Sequence, residues 1–294
     1  MPRPDRRPLI AYLKVQEAWE RELLIVLKRA AADADKQIRA LAGKDGIGAA
    51  IRREQLRLVK QALLKQQAEL WDVIGSSVKA AQARAAAAAV ASTGEYEAML
   101  LKSKLSKGEI EAMLRAATAQ AERTVDVVSR RLNGLSDRPL SSRVYRSRAL
   151  ANGMVQREIE RVIATGGSWK DLANRVRGLI LPNTPGGVSY AAERLGRTEL
   201  NNAFHAVSVQ RAIKSPFIEY VQWHLSGSHP KPDDCNIYAD EEHVKGQPGG
   251  IWRPQEVPSK PHPNCLCYTT PITISDEEFI DGFISGKYDA YLDG

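Results

Sequence analysis

All of the chain's histidines and cysteines lie in its last third. The five histidines (His205, His224, His229, His243, His262) and three cysteines (Cys235, Cys265, Cys267) all follow residue 204. Charge divides along a similar line: residues 1–190 carry a net +13, residues 191–294 a net −6. A basic region without thiols or imidazoles therefore precedes an acidic region that holds all of them.

The first region reads as long helices. Val15, Trp19, Leu23, Val26 and Ala30 recur at three-to-four spacing, the period of an amphipathic helix. Glycines at 42–48 interrupt it. A second stripe on Leu56, Val59, Leu63, Leu70, Ile74 and Val78 runs into "RAAAAAVAS", where alanine favours helix but offers little to pack. A third helix follows on Ile110, Met113, Ala117, Ala121, Val125, Val128 and Leu132, with a break at 133–139 and a fourth helix over about 140–164. Ser168 stands at an N-cap position with Asp171 three residues on, which opens a compact helix to about residue 180.

A helix from about 188 to 213 carries a coherent polar face: Arg194, Arg197, Thr198, Asn201, His205 and Ser208. Glu199 sits at the edge of the apolar side, where a carboxylate needs a hydrogen-bonding or cationic partner. Such a face meets solvent or another domain in the ordinary case, and an anion in the less ordinary one. After Pro216 the period becomes two, and "FIEYVQWHL" (217–225) reads as a strand. Residues 226–263 show little regular pattern, and more than half of the fifteen prolines fall between Pro216 and Pro263. A loop of this length in a compact domain needs something to fix it. "CLCYTTPI" then reads as a short closing strand, and "SDEEFIDGF" as a capped acidic helix that leads into a tail.

On a strand, Cys265 and Cys267 would turn their sulfurs to the same side. With Cys235 and one of His229 or His262 they make up a four-ligand set of the kind zinc takes at tetrahedral corners. Such a site is closed, hence structural, and its binding free energy becomes folding free energy. Two other arrangements fit the same residues: unligated buried thiols, and a disulfide between Cys235 and one of the pair. Catalytic readings fare worse. The spacing matches neither half of a nucleobase-deaminase motif, and there is no P-loop or dinucleotide fingerprint. No apolar run approaches the roughly 18 residues of a membrane span. The basic start lacks the apolar core of a secretory signal, so folding in a cytoplasm is the expectation.

The ordered series Arg197-Thr198-Glu199, Trp223, Asp234-Cys235, Gly246 and His262-Pro263-Asn264-Cys265-x-Cys267 resembles the Mu F-like minor head proteins of tailed phages, the phage head-morphogenesis family. The resemblance covers roughly residues 140–273. Tyr238 stands where that family often has a further cysteine, and Leu266 where many members have arginine. The resemblance implies a minor capsid component of the virion, in the capsid interior or at the portal vertex and assembled in the host cytoplasm. It would act in head assembly and in DNA packaging or delivery. The partners implied are the portal protein, the major capsid or scaffolding protein, and packaged double-stranded DNA.

The expectation is a mainly α chain with long N-terminal helices and a small α+β module with a short sheet near the C-terminus. Its regions are a basic helical part (1–138), a head-morphogenesis domain (139–274) and an acidic C-terminal tail (275–294). Its role is structural rather than enzymatic. The rival readings are a non-specific DNA-binding virion protein, since a basic helical surface neutralises phosphates regardless of sequence, and a metal-dependent hydrolase or nuclease centred on the Cys/His cluster.

Overall fold

The computed structural model describes residues 5–43, 53–130, 140–182, 184–229 and 232–292. The break expected at 133–139, and all but the first two residues of that at 42–48, lie outside the described residues. The protein is mainly helical, with long N-terminal helices and a small three-stranded sheet towards the C-terminus. In order the elements are α1 (Arg7–Ala42), α2 (Arg53–Leu101), α3 (Lys107–Arg130), α4 (Leu140–Ala164), α5 (Trp169–Ile180), α6 (Val188–Lys214), β1 (Ile218–His224), α7 (Asp234–Asp240), β2 (Ile251–Trp252), a 3₁₀ turn at Pro254–Glu256, β3 (Tyr268–Thr273), α8 (Asp276–Ile284) and α9 (Asp289–Leu292). Among the described residues no helix is long and apolar enough to cross a membrane.

Residue contacts group the chain into two compact units, each assembled from separated stretches. One comprises Met1–Gln16, Ala81–Leu135 and Thr198–Gly294; the other comprises Glu17–Ala80 and Ser136–Arg197.

The second unit is built from helical stripes. Trp19, Leu23 and Leu27 of α1 and Val59, Leu63, Trp71, Ile74 and Val78 of α2 are buried, as four-residue spacing requires. The Trp19 indole N–H donates to Ser77 Oγ at 3.0 Å. Its ring lies against Gly196, where a Cβ would sit 1.9 Å from Trp19 Cη2; only glycine leaves room for the indole. The capping box expected at α5 is present: Asp171 N–H donates to Ser168 Oγ, and Ser168 N–H to Asp171 Oδ2.

The first unit holds the sheet, in the order β2-β1-β3 with both pairings antiparallel. Its alanine-rich stretch packs more closely than composition suggests: Ala81, Ala85, Ala86 and Ala89 are fully buried. Short side chains there let Arg211 of α6 reach the backbone. Its Nη1 donates to the Val90 carbonyl at 2.8 Å, and its Nη2 to Glu97 Oε2 at 3.2 Å. Ser215 Oγ also donates to Glu97. Burial pushes the Glu97 carboxyl up and the Arg211 charge opposes that push.

Residues 226–263 hold only short regular elements, α7, β2 and the 3₁₀ turn, in keeping with the little regular pattern of their sequence. Residues 275–294 are more than a tail: α8 and α9 bury Phe279 and Tyr288 in a cluster with Leu101, Leu105, Met113, Phe217 and Ile274.

Candidate metal centre

The α7 helix begins with a cap that places a sulfur. Asp233 is its N-cap, and its Oδ1 accepts from Cys235 N at 2.8 Å. Asn236 closes the box, its Oδ1 accepting from Asp233 N at 3.1 Å. Cys235 is thereby fixed in the first turn and is fully buried. Where α7 ends the chain turns back on itself tightly. Gly250 has φ +78°, and a Cβ there would meet the Ala239 carbonyl oxygen at 2.5 Å. Its own carbonyl accepts from Trp223 N at 2.8 Å, which joins this loop to β1.

The other two sulfurs arrive by a turn, not on a strand. Cys265 and Cys267 precede β3, which begins at Tyr268; the period-two argument for their shared direction is thus corrected. Asn264 adopts φ +58°, the left-handed region that asparagine tolerates better than most residues. That reversal aims both cysteines inward, each 2% exposed.

The polar face of α6 grips this segment. Thr198 Oγ1 accepts from Asn264 N at 3.3 Å, the Asn201 amide donates to the Cys265 carbonyl, and His205 Nε2 donates to the Pro258 carbonyl at 2.8 Å. Asn201 and His205 are buried, so this part of the face meets neither solvent nor an anion. Burial holds the His205 imidazole neutral, its pKa lowered to about 3 with help from the Lys260 charge. The rest of the expected face goes elsewhere. Arg194 is exposed, Arg197 pairs with Glu20 at 2.6 Å and Glu193 at 3.4 Å, and buried Glu199 accepts from Gln82 at 3.0 Å.

Four of the five expected ligands fall in two overlapping clusters, the three cysteines in one and His262 with Cys235 and Asp233 in the other, while His229 approaches Cys267 alone. The three sulfurs lie within 4.8 Å of one another, with Cys235 and Cys265 3.5 Å apart. Cys235 Sγ is 3.4 Å from His262 Nε2, and Cys267 Sγ is 3.8 Å from His229 Nδ1. The cysteines are free thiols, and 3.5 Å is far beyond a sulfur–sulfur bond of about 2.05 Å. Zinc–sulfur bonds of about 2.3 Å at tetrahedral angles set sulfurs about 3.8 Å apart, within the observed range. The donor set is thus capable of coordinating a metal ion, and the residues fit it.

The surroundings orient the ligands. His229 Nε2 donates to Asn236 Oδ1 at 2.9 Å, which leaves the Nδ1 lone pair facing Cys267. A hydrogen bond on the far nitrogen is how metal-binding imidazoles are held. His262 Nδ1 faces the Pro263 carbonyl at 3.0 Å, while its Nε2 lies 3.1 Å from Asp233 Oδ2 as well as near Cys235. Burial pushes the Cys235 thiol up to about 12. Cys265 is drawn down to about 5, first by the hydrogen bond from Cys267 and also by the Lys260 charge.

Sequence reasoning missed Asp233, Asn236 and Lys260. The run "PDDCN" carries the cap signature of the first two, an Asp followed three residues later by an amide. Neither remaining histidine joins the centre: His224 contacts Thr270 Oγ1 at 2.7 Å, and His243 stacks on Trp252.

Comparison of the chain with protein families, curated proteins and solved structures returned no match.

Proposed function

We propose that this protein is a structural assembly component, a minor capsid or head-morphogenesis protein of a tailed phage, whose C-terminal module is a docking knob made rigid by a zinc ion. The observation that carries this reading is the gathering of three free thiols and two imidazoles onto a proline-rich loop that α6 grips from its other side. Cys235, Cys265 and Cys267 would hold the ion with His229 or His262 as fourth ligand; Asn236 orients the His229 ring, the Pro263 carbonyl orients that of His262, and Asp233 lies near both. When bound, zinc supplies a four-point crosslink and no open position for chemistry. The protein's own part is to present the thiols, fix the imidazole tautomer and exclude water.

The likeness of the ordered motif to Mu F-like minor head proteins supports the virion setting. Portal, capsid or scaffolding proteins are its partners in this reading. The net +13 of residues 1–190 suits an acidic portal surface or packaged double-stranded DNA. The test is a pull-down of the full chain against the portal protein encoded beside its gene, with and without a chelator. Retention that chelation abolishes is the expected result. No retention under either condition would count against a portal-docking role.

A further inference from the structure

His262 stands apart from the group of three thiols. Its ring nitrogen falls in a second cluster with Asp233 and Cys235, whose donor atoms all lie within 4.8 Å of one another, and Cys235 is the member that both clusters share. His262 Nε2 lies 3.1 Å from Asp233 Oδ2 and 3.4 Å from Cys235 Sγ. Ligands of one tetrahedral zinc ion, with bonds of about 2.0 Å to nitrogen and oxygen and about 2.3 Å to sulfur, stand about 3.3–3.6 Å apart. The cluster has nearly those edges.

Contacts outside the cluster turn its donors inward. Asp233 commits Oδ1 to the Cys235 N–H in the α7 cap, which leaves Oδ2 for His262. His262 Nδ1 is 3.0 Å from the Pro263 carbonyl. That contact calls for a proton on Nδ1 and leaves a lone pair on Nε2 of the neutral ring. A carboxylate oxygen, an imidazole lone pair and a sulfur thus face one another, and a cation among them turns repulsion into coordination.

We propose that Asp233, Cys235 and His262 form a second divalent-metal site, joined to the first through the Cys235 sulfur as a bridging thiolate. This rests on the metal reading above, with His229 as the fourth ligand of the three-thiolate ion. The two sites differ in kind. The three cysteines are almost wholly buried, whereas the His262 and Asp233 side chains are 32% and 31% exposed. The second ion has three protein ligands, one of them shared, and an open position that takes water or a carboxylate from outside the chain. Fewer ligands and wetter surroundings make it the weaker of the two, so it is lost on purification and returns when zinc is added. One carboxylate, one imidazole and one thiolate suit zinc better than calcium or magnesium, which take oxygen ligands.

The experiment starts from purified full-length protein that retains the first ion and titrates it with zinc against a chelating indicator. A second, weaker equivalent is expected. With cobalt(II) in both sites, the second ion should quench the paramagnetic resonance of the first by coupling through the shared sulfur. Asp233→Asn keeps an N-cap for α7, since asparagine caps about as well as aspartate. It should lose the second equivalent while affinity for the first stays within a fewfold. His262→Ala should do the same, and serves alone should the cap variant fail to fold. A single equivalent in the unaltered protein would overturn the proposal. So would a second equivalent that survives both substitutions, which would mark an adventitious ion elsewhere. Loss of the tight equivalent in His262→Ala would put that ring on the first ion and overturn it too. No zinc uptake at all by the unaltered protein would instead remove the metal reading itself, and the proposal with it.

Discussion

The Asn201 amide donates to the carbonyl oxygen of Cys265, so a side chain on α6 holds the backbone that presents a sulfur to the cluster. Replacing Asn201 with Ala leaves a buried carbonyl without its donor, a loss of about 1–3 kcal/mol. Urea unfolding should show this loss, and hydrogen exchange should show its local part as faster exchange in residues 258–267. Unaltered exchange there would mean that the loop is held without α6.

Trp19 and Gly196 make a second constraint, within the other compact unit. Gly196→Ala sets a Cβ 1.9 Å from the indole, and a fully buried ring has nowhere to move. Overpacking of this kind costs about 1–3 kcal/mol or more. The expected outcome is a lowered Tm with zinc affinity unchanged.

Arg211 and Glu97 form a buried pair, with side chains 9% and 4% exposed. Arg211→Met strands a carboxylate that burial already pushes towards its neutral form. Removing one partner of such a pair costs about 3–5 kcal/mol. The double change Arg211→Met with Glu97→Leu should recover part of that loss in chemical denaturation, which a purely additive pair of effects would not do.

His205 sets a pH dependence. Its folded pKa lies near 3, below the ordinary value of 6.5, because burial disfavours the charged ring. The unfolded chain therefore binds the proton first as pH falls. The stability that His205 confers is fully present above about pH 6.5 and drains away as pH drops towards 3. His224, lowered to about 4 by burial, adds a similar slope over a narrower window. His205→Gln keeps a donor for the Pro258 carbonyl and removes the titration. Measured in chelator, the variant should lose stability less steeply than the unaltered protein between pH 6.5 and 5. Parallel curves would show that His205 is not buried neutral.

The helices were legible because they are long and periodic. Trp19, Leu23, Ile74 and Val78 fall on stripes that only a helix aligns. The helix α7 was not legible, since seven residues are too few for periodicity to declare itself, and β2 is two residues that make sense only beside β1. The five ligand candidates could be named from composition and spacing, but the reason the sulfurs meet could not. It lies in the Asp233 cap and the left-handed turn at Asn264, both tertiary in consequence. Likewise the face of Thr198, Asn201 and His205 stood out in the sequence, while its destination, the backbone at 258–265, depends on contacts across some fifty to seventy residues. Lys260 was hidden among forty-two basic residues; its hydrogen bond to the Cys267 carbonyl and its place over the Trp223 ring set it apart only in the fold.

The central claim is that these thiols gather around a metal ion. The most direct measurement is the zinc content of the purified full-length protein, by elemental mass spectrometry, beside Cys267→Ser. One zinc ion per chain is expected in the unaltered protein, and little in the variant, with faster hydrogen exchange across residues 226–267. A folded protein without zinc whose three thiols all react with a thiol reagent while the loop stays protected would contradict it.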